Sequence, residues 1–349
     1  MSVPGVAGAG GQPVYSGGMA HPSGLTSMRS PRTEFTHRIL QLLRRLLGIA
    51  LLLFGVTFVS YCLSYLAPGD AAVHLLESKG QPYSQELLDA MRHRMGLDQP
   101  LPVQYFRWLA NMLHGDMGIS LQNGRAVGQE FLRYLPNTVK LTLVSILLTT
   151  AVSVLVGTLC AVKPNSVLDY VIRFITYLFA SLPNFFFALV VLYFCCVRFH
   201  WFPVQAKPDV KGMVMPVTVL TFGLSSYFIR QVRAIVLEEL GKDYVAGCHA
   251  RGISFRRILF CHVLKNVAPP ILTMMAISFG SMLGGSSLIE SIFSWPGLGR
   301  YALTGIQAMD YPVIQAYVVW MSVAYLLVYY LADLVSAILN PQGTGLRTA

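Results

Sequence analysis

Apolar side chains in this chain gather into long runs separated by polar connections rich in Gly and Pro. Six runs reach the roughly 20 residues that carry a helix across about 30 Å of hydrocarbon. They are Leu46–Leu66, Val139–Val162, Val171–Val197, Val214–Leu237, Ile271–Ile292 and Val313–Leu339. Arg173, Arg198, Arg230, Arg233 and Asp333 fall near the ends of these runs, where long basic side chains reach the headgroups. The pattern predicts an all-α polytopic membrane protein with six transmembrane helices.

The connections differ in kind. Residues 1–34 are rich in Gly, Pro and Ser and lack an apolar period, which predicts a disordered cytoplasmic tail. Phe35 to Leu47 mixes basic residues with Ile39, Leu40, Leu42 and Leu43 and reads as a helix entering the membrane. A single domain follows over residues 35–340, with residues 341–349 as a second cytoplasmic tail. The connection over residues 67–135 is too long for a bare link and too polar to span, so it is expected to fold as an external insertion. Within it Ser84 caps a short helix through Arg94 that Gly96 stops. Val103 to Leu113 forms an amphipathic helix whose Tyr105, Trp108 and Leu109 suit the membrane interface. The connections at Phe199 to Met213 and Ser294 to Pro312 read as external turns, with Trp201 at headgroup depth.

Composition sharpens this. The 349 residues are 54% hydrophobic and only 12% charged, more apolar than one soluble core can hide. The net charge of +10 would suggest nucleic acid in a soluble protein, but its placement excludes that reading. Basic residues collect before the first run (Arg29, Arg32, Arg38, Arg44, Arg45), at Lys163, and between the fourth and fifth runs (Lys242, Arg251, Arg256, Arg257, Lys265). By the positive-inside rule these segments, and with an even number of spans both termini, are cytoplasmic. The six cysteines fall in spans or in the basic loop and imply no disulfide framework. Cys248-His249 and Cys261-His262 form a twin pattern, but adjacent helical residues diverge by about 100°, so packing or solvation is preferred over a metal site. No cofactor or metal is expected.

The basic connection, about residues 238–266, reads as two short helices. Asp243 caps the first, Tyr244 to Ala250 forms it, and Gly252 breaks it. Ser254 caps a second that carries Ile258, Leu259 and Val263 on one face. A helix across the inner face is a surface that a partner can push.

These residues carry a resemblance, together with Leu66-Ala-Pro-Gly-Asp70, Gly96-Leu-Asp-Gln-Pro-Leu101, Gln104-Tyr-Phe-Arg-Trp-Leu109, Gly115-Asp116, Leu135-Pro-Asn-Thr138, Ser181-Leu-Pro-Asn-Phe185, Trp295-Pro-Gly-Leu-Gly299 and Asp310-Tyr-Pro312. After residue 38 the chain resembles the binding-protein-dependent ABC importer permeases of the dipeptide, oligopeptide and nickel branch. The resemblance implies a type I importer permease fold and import across a bacterial inner membrane. The implied partners are a second permease, two ATP-binding subunits, an external solute-binding protein and the lipid bilayer. It also implies that the loop carrying Asp243, Tyr244, Ala246, Gly247, Cys248, Ala250, Gly252 and Ile253 is a coupling helix docking on an ATP-binding subunit. Ala246, Gly247 and Cys248 replace the Glu-Ala-Ala of the wider family, and His262-Val-Leu-Lys265 replaces its Ile-x-Leu-Pro ending.

Ser181, Pro183, Asn184, Ser225 and Ser226 are polar or helix-breaking positions inside spans. They read as a translocation path, with helix-to-helix bonding as the alternative. Asp70, Asp116, Trp295 and Gly297 are candidate contacts for the binding protein, with turn geometry as the alternative. Glu290 either touches substrate or bonds the loop near Arg300. The chain has no phosphate loop, no His-Glu-x-x-His and no Gly-x-Ser-x-Gly, so no enzymatic constellation is present. An ion-coupled secondary transporter, which needs ionisable groups at mid-membrane, and a membrane assembly or export component are the competing functions.

Overall fold

The computed structural model describes residues 31–66, 70–78 and 84–339. The tail expected over residues 1–34 therefore lies largely outside the described residues, as does the tail at 341–349. Residues 31–34 are already helical. The chain divides into two units, residues 1–48 and 49–349, and the first helix, α1 (Pro31–Leu66), runs through the division. All packing described below lies within the second unit.

Between the first two spans stand α2 (Ala71–Ser78), α3 (Gln85–Met95) and α4 (Leu101–Leu113). Ser84 Oγ accepts from Leu87 N at the start of α3, and Gly96, at φ +71°, ends it as the sequence predicts. Tyr105 departs from expectation. It is fully buried among Phe54, Phe58 and Tyr61 of α1, with its hydroxyl 2.9 Å from Thr57 Oγ1, so it fixes α4 to the first span instead of standing at an interface.

The second span belongs to α5 (Val127–Val162), which starts well before Val139. The helix thus begins inside the stretch read as an external insertion to residue 135. Polar residues and Pro136 disguise this stretch, but Val127 and Phe131 are buried against Leu298, Val313 and Ala316, and that burial holds the extra turns. Further along α5, Gly157 meets Ile229 and Val232 of α8 (Val210–Leu240). A Cβ there would stand 2.9 Å from Ile229 O, so only glycine permits this approach.

The third run is not one straight helix. α6 (Val167–Ser181) and α7 (Asn184–Val191, continued by a π-helical turn over Leu192–Arg198) meet at a bend of 100°. Pro183 supplies no N–H and biases Leu182 to extended backbone. The described residues thus hold five continuous spans, and a sixth if the bent pair is one crossing.

After α8 come α9 (Asp243–Ala250) and α10 (Phe255–Ile258), then a π-helical turn over Leu259–Val263 and α11 (Leu264–Gly285). α10 was expected to be a separate short helix. It is instead the beginning of the fifth span, because Ile258, Leu259 and Val263 are buried in the main core and draw it into line. The fifth span stops at Gly285, and α12 (Ser287–Ile292), α13 (Leu298–Gln307) and α14 (Tyr311–Leu339) complete the chain.

Candidate coupling site

α8 ends where Gly241 and exposed Lys242 turn the chain into α9. Lys242, not Asp243, occupies the capping position, and no side chain bonds there. Asp243 sits in the first turn, where its charge meets the positive end of the helix dipole.

The two sides of α9 differ sharply. Val245 is buried, and Tyr244, Cys248 and the following Ile253 pack on the main core. Asp243, Ala246, Gly247 and Ala250 are exposed, and nothing lies within 4 Å of the position a Cβ on Gly247 would take. Small residues thus leave the backbone open on the outward side at Ala246, Gly247 and Ala250.

The helix stops in a Schellman arrangement. Ile253 N donates to Cys248 O at 3.2 Å and Gly252 N to His249 O at 2.9 Å, with Gly252 at φ +74°. That left-handed conformation is why glycine stands here. His249 stacks on Phe255 with ring centroids 6.1 Å apart.

Glu239, in the last turn of α8, ties α9 to two spans. Its Oε1 accepts from Tyr244 Oη at 2.9 Å and from Asn266 Nδ2 at 3.0 Å, while Lys242 Nζ lies 2.6 Å from Oε2. The hydrogen bond to Glu239 raises the pKa of Lys242 above its ordinary value. Burial, and then the same carboxylate, raise that of Tyr244. Glu239 thereby joins α8, α9 and α11 at one carboxylate. Beside this knot a groove of about 750 Å³ opens between the two spans, lined by Tyr227, Glu238, Glu239, Asn266, Thr273 and Ser278 among others.

The five path candidates do not form one surface. Ser181, Pro183 and Asn184 are exposed at the α6–α7 bend, where Asn184 Oδ1 stands 2.7 Å from the place a Cβ on Gly223 would occupy. Ser225 and Ser226 are buried, the second donating to Gly223 O at 2.8 Å.

At the opposite end of the bundle, Asp70 Oδ1 accepts from Ala72 N at 2.9 Å and Oδ2 from Arg92 at 2.6 Å, joining α2 to α3. Asp116 is exposed and accepts from Gly118 N. Trp295 and Gly297 are buried and offer a partner no surface. They belong to a buckle instead. Trp295 Nε1 donates to Asn137 O at 3.3 Å, Asn137 Nδ2 to Pro296 O at 2.7 Å, and a Cβ on Gly297 would collide with Glu290. Glu290 bonds the loop, accepting from Arg300 N, Thr138 Oγ1 and Ser286 Oγ.

Sequence reasoning missed Glu239 and Asn266. The paired Glu238-Glu239 just ahead of Lys242 was the available signal for the first. Nothing local marks Asn266, 27 positions further on.

Residues 153–342 match the family described as binding-protein-dependent transport system inner membrane component, and residues 39–142 match the N-terminal component of the same systems. The chain belongs to this family. This permease is 33% identical over 312 residues to the oligopeptide transport system permease protein AppB of Bacillus subtilis (strain 168), covering 86% of this chain and 98% of the relative. It is 30% identical over 302 residues to the metal-staphylopine import system permease protein CntB of Staphylococcus aureus (strain NCTC 8325 / PS 47), covering 86% and 97%. The inward-facing MetNI methionine ABC transporter, in its CY5 SeMet-soak crystal form, shares the fold at a TM-score of 0.52 and 18% identity, covering 60% of this chain and 96% of that one. The protein is a permease subunit of an ABC importer and a multi-pass protein of the inner membrane.

Proposed function

We propose that α9 is the lever through which an ATP-binding subunit drives this permease. The observation that carries the reading is the two-sided build of α9: a bare outward face of Ala246, Gly247 and Ala250, and an inward face knotted through Tyr244 and Glu239 to two spans. Two ATP-binding subunits close on ATP, the docked helices move with them, and the difference in contact energy between the states drives the change of access. Hydrolysis belongs to those subunits. The basic segments before the first apolar run and around α9 support a cytoplasmic α9 and, with six crossings, cytoplasmic termini.

A second, similar permease faces this one, and solute passes between them. The bend at Ser181, Pro183 and Asn184 and the groove between α8 and α11 line the path, while Ser225 and Ser226 support it from inside the packing. A solute-binding protein docks outside near Asp70 and Asp116. Trp295 and Gly297 shape the turn beneath it.

The cargo is a peptide or a chelated metal such as nickel, in keeping with relatives named for oligopeptides and metal-staphylopine. Uptake of labelled dipeptide and of nickel, measured with and without this chain and with each competing against the other, assigns the cargo. If neither changes while ATP-binding subunits still co-purify, the class stands and the cargo is wrong. Failure of ATP-binding subunits to co-purify with the chain overturns the lever.

A further inference from the structure

The seam between α6 and α8 holds a group of arginines with more charge than its acid balances. Arg233 takes both oxygens of Asp169, at 2.7 Å each, and this carboxyl is fully buried. Arg173, four residues after Asp169, keeps only a loose ion pair from its Nε at 3.7 Å; its Nε and Nη2 have no hydrogen-bond partner and its guanidinium lies over the Tyr170 ring. Arg230 has no carboxylate within salt-bridge distance among the described residues. It donates to Thr176 O at 3.2 Å and lies over Tyr177. Two guanidiniums are thus incompletely neutralised in a chain that spans a membrane.

Arg173 stands six residues beyond Val167, roughly 9 Å along the helix axis from its start, which is a shallow depth. One to two turns deeper, a cavity of about 210 Å³ opens between α5, α6 and α8, with Leu148, Val152, Ile175, Phe179, Phe222 and Ile229 in its walls. Its hydroxyls are mostly engaged: Thr176 donates to Arg173 O, Thr218 to Val214 O and Ser226 to Gly223 O. It is smaller than the roughly 300–1,000 Å³ that holds a drug-sized ligand, so it suits part of a chain and not a transported solute. Tyr170, Phe174 and Tyr177 project alongside as an exposed aromatic rim, the arrangement found at headgroup depth.

We propose that this seam binds one anionic phospholipid, its headgroup on the side of Arg173 and Arg230 and one acyl chain in the cavity. Charge selects the lipid class, since a zwitterionic headgroup brings no net charge to offset the two guanidiniums. The cavity, one turn deeper on the same helices, selects a lipid over a free anion. The site does not depend on the cargo or on the lever.

The test is native mass spectrometry of the full chain purified in detergent. It is exchanged with phosphatidylglycerol or with phosphatidylcholine of the same acyl chains, with inorganic phosphate as a separate probe. The wild type is expected to retain phosphatidylglycerol preferentially, and Arg173→Gln and Arg230→Gln each to lower that retention about fivefold. Val152→Phe, which narrows the cavity without touching charge, is expected to lower it as well. Thermal melting of each variant reports folding, and Arg230→Gln, which breaks no ion pair, carries the test if Arg173→Gln melts early. Equal retention of the two lipids overturns the proposal. So does loss of the preference on adding inorganic phosphate while Val152→Phe has no effect, which marks an anion site only. Ready disulfide cross-linking of Ile175→Cys to a second permease in membranes also overturns it, because that face is then covered by protein.

Discussion

Thr138 donates its hydroxyl to Glu290 Oε1 at 2.8 Å, joining positions 152 residues apart, and Thr138 Oγ1 in turn accepts from Leu298 N at 2.7 Å. One side chain thus satisfies a buried carboxyl and the first N–H of α13. Thr138→Val removes both bonds without changing volume; Glu290 Oε1 keeps the bond from Ser286 Oγ, but the buried Leu298 N–H is left unmatched, at about 1–3 kcal/mol. The melting temperature in detergent is expected to fall clearly, while Thr138→Ser stays near wild type. Equal melting of the two variants counts against the buckle.

Gly252 tests the end of α9. At φ +74° a β-branched residue is strained even though no atom crowds the position, and the left-handed region costs a non-glycine residue about 1–2 kcal/mol. Gly252→Val is expected to abolish uptake with membrane insertion intact. Gly252→Asn, which tolerates this conformation, is expected to retain a substantial part of it. Uptake by Gly252→Val at the wild-type level removes α9 from the mechanism.

The contrast between α9 and α10 shows what the sequence reveals. Apolar runs, Ser84 and Gly96 as helix punctuation, and Gly252 as a break are local signals, and the structure realises each of them. The start of α5 at Val127 is not local, because Phe131 is understood only once Leu298 and Val313 lie against it. In the same way α10 merges with the fifth span through the burial of Ile258 and Val263, which helical period alone cannot supply. Trp295 and Gly297 misled for a related reason. An aromatic and a glycine in a loop have the composition of an exposed turn, and only the distant Asn137 and Glu290 turn them inward.

Asp70 gives a pH dependence at the end of the bundle away from α9. Burial raises its pKa, but the hydrogen bond from Arg92 and the backbone N–H of Ala72 outweigh this and hold it below the ordinary value. A carboxyl depressed on folding contributes stability above its unfolded pKa and loses it as pH falls through the folded one. The α2–α3 pair is therefore expected to be firm at neutral pH and to loosen below about pH 4, seen as faster amide exchange in α3. Asp70→Asn should show the acid-like exchange already at neutral pH. If both proteins exchange alike across the range, Asp70 does not hold these helices.

Glu239 separates a lever from a spacer. Tyr244→Phe removes one of its bonds while leaving the ring packed, and Asn266→Leu removes the tie to α11 alone. Each is expected to cost about 1 kcal/mol of connection, little enough for folding and for docking of the ATP-binding subunits. Transport depends on both spans moving with α9, so uptake per ATP hydrolysed should drop severalfold in each variant while hydrolysis continues. Measured in proteoliposomes, a parallel loss of hydrolysis and uptake would instead mean that the knot serves docking. An unchanged ratio in both variants would show that α9 moves the spans by some route other than Glu239.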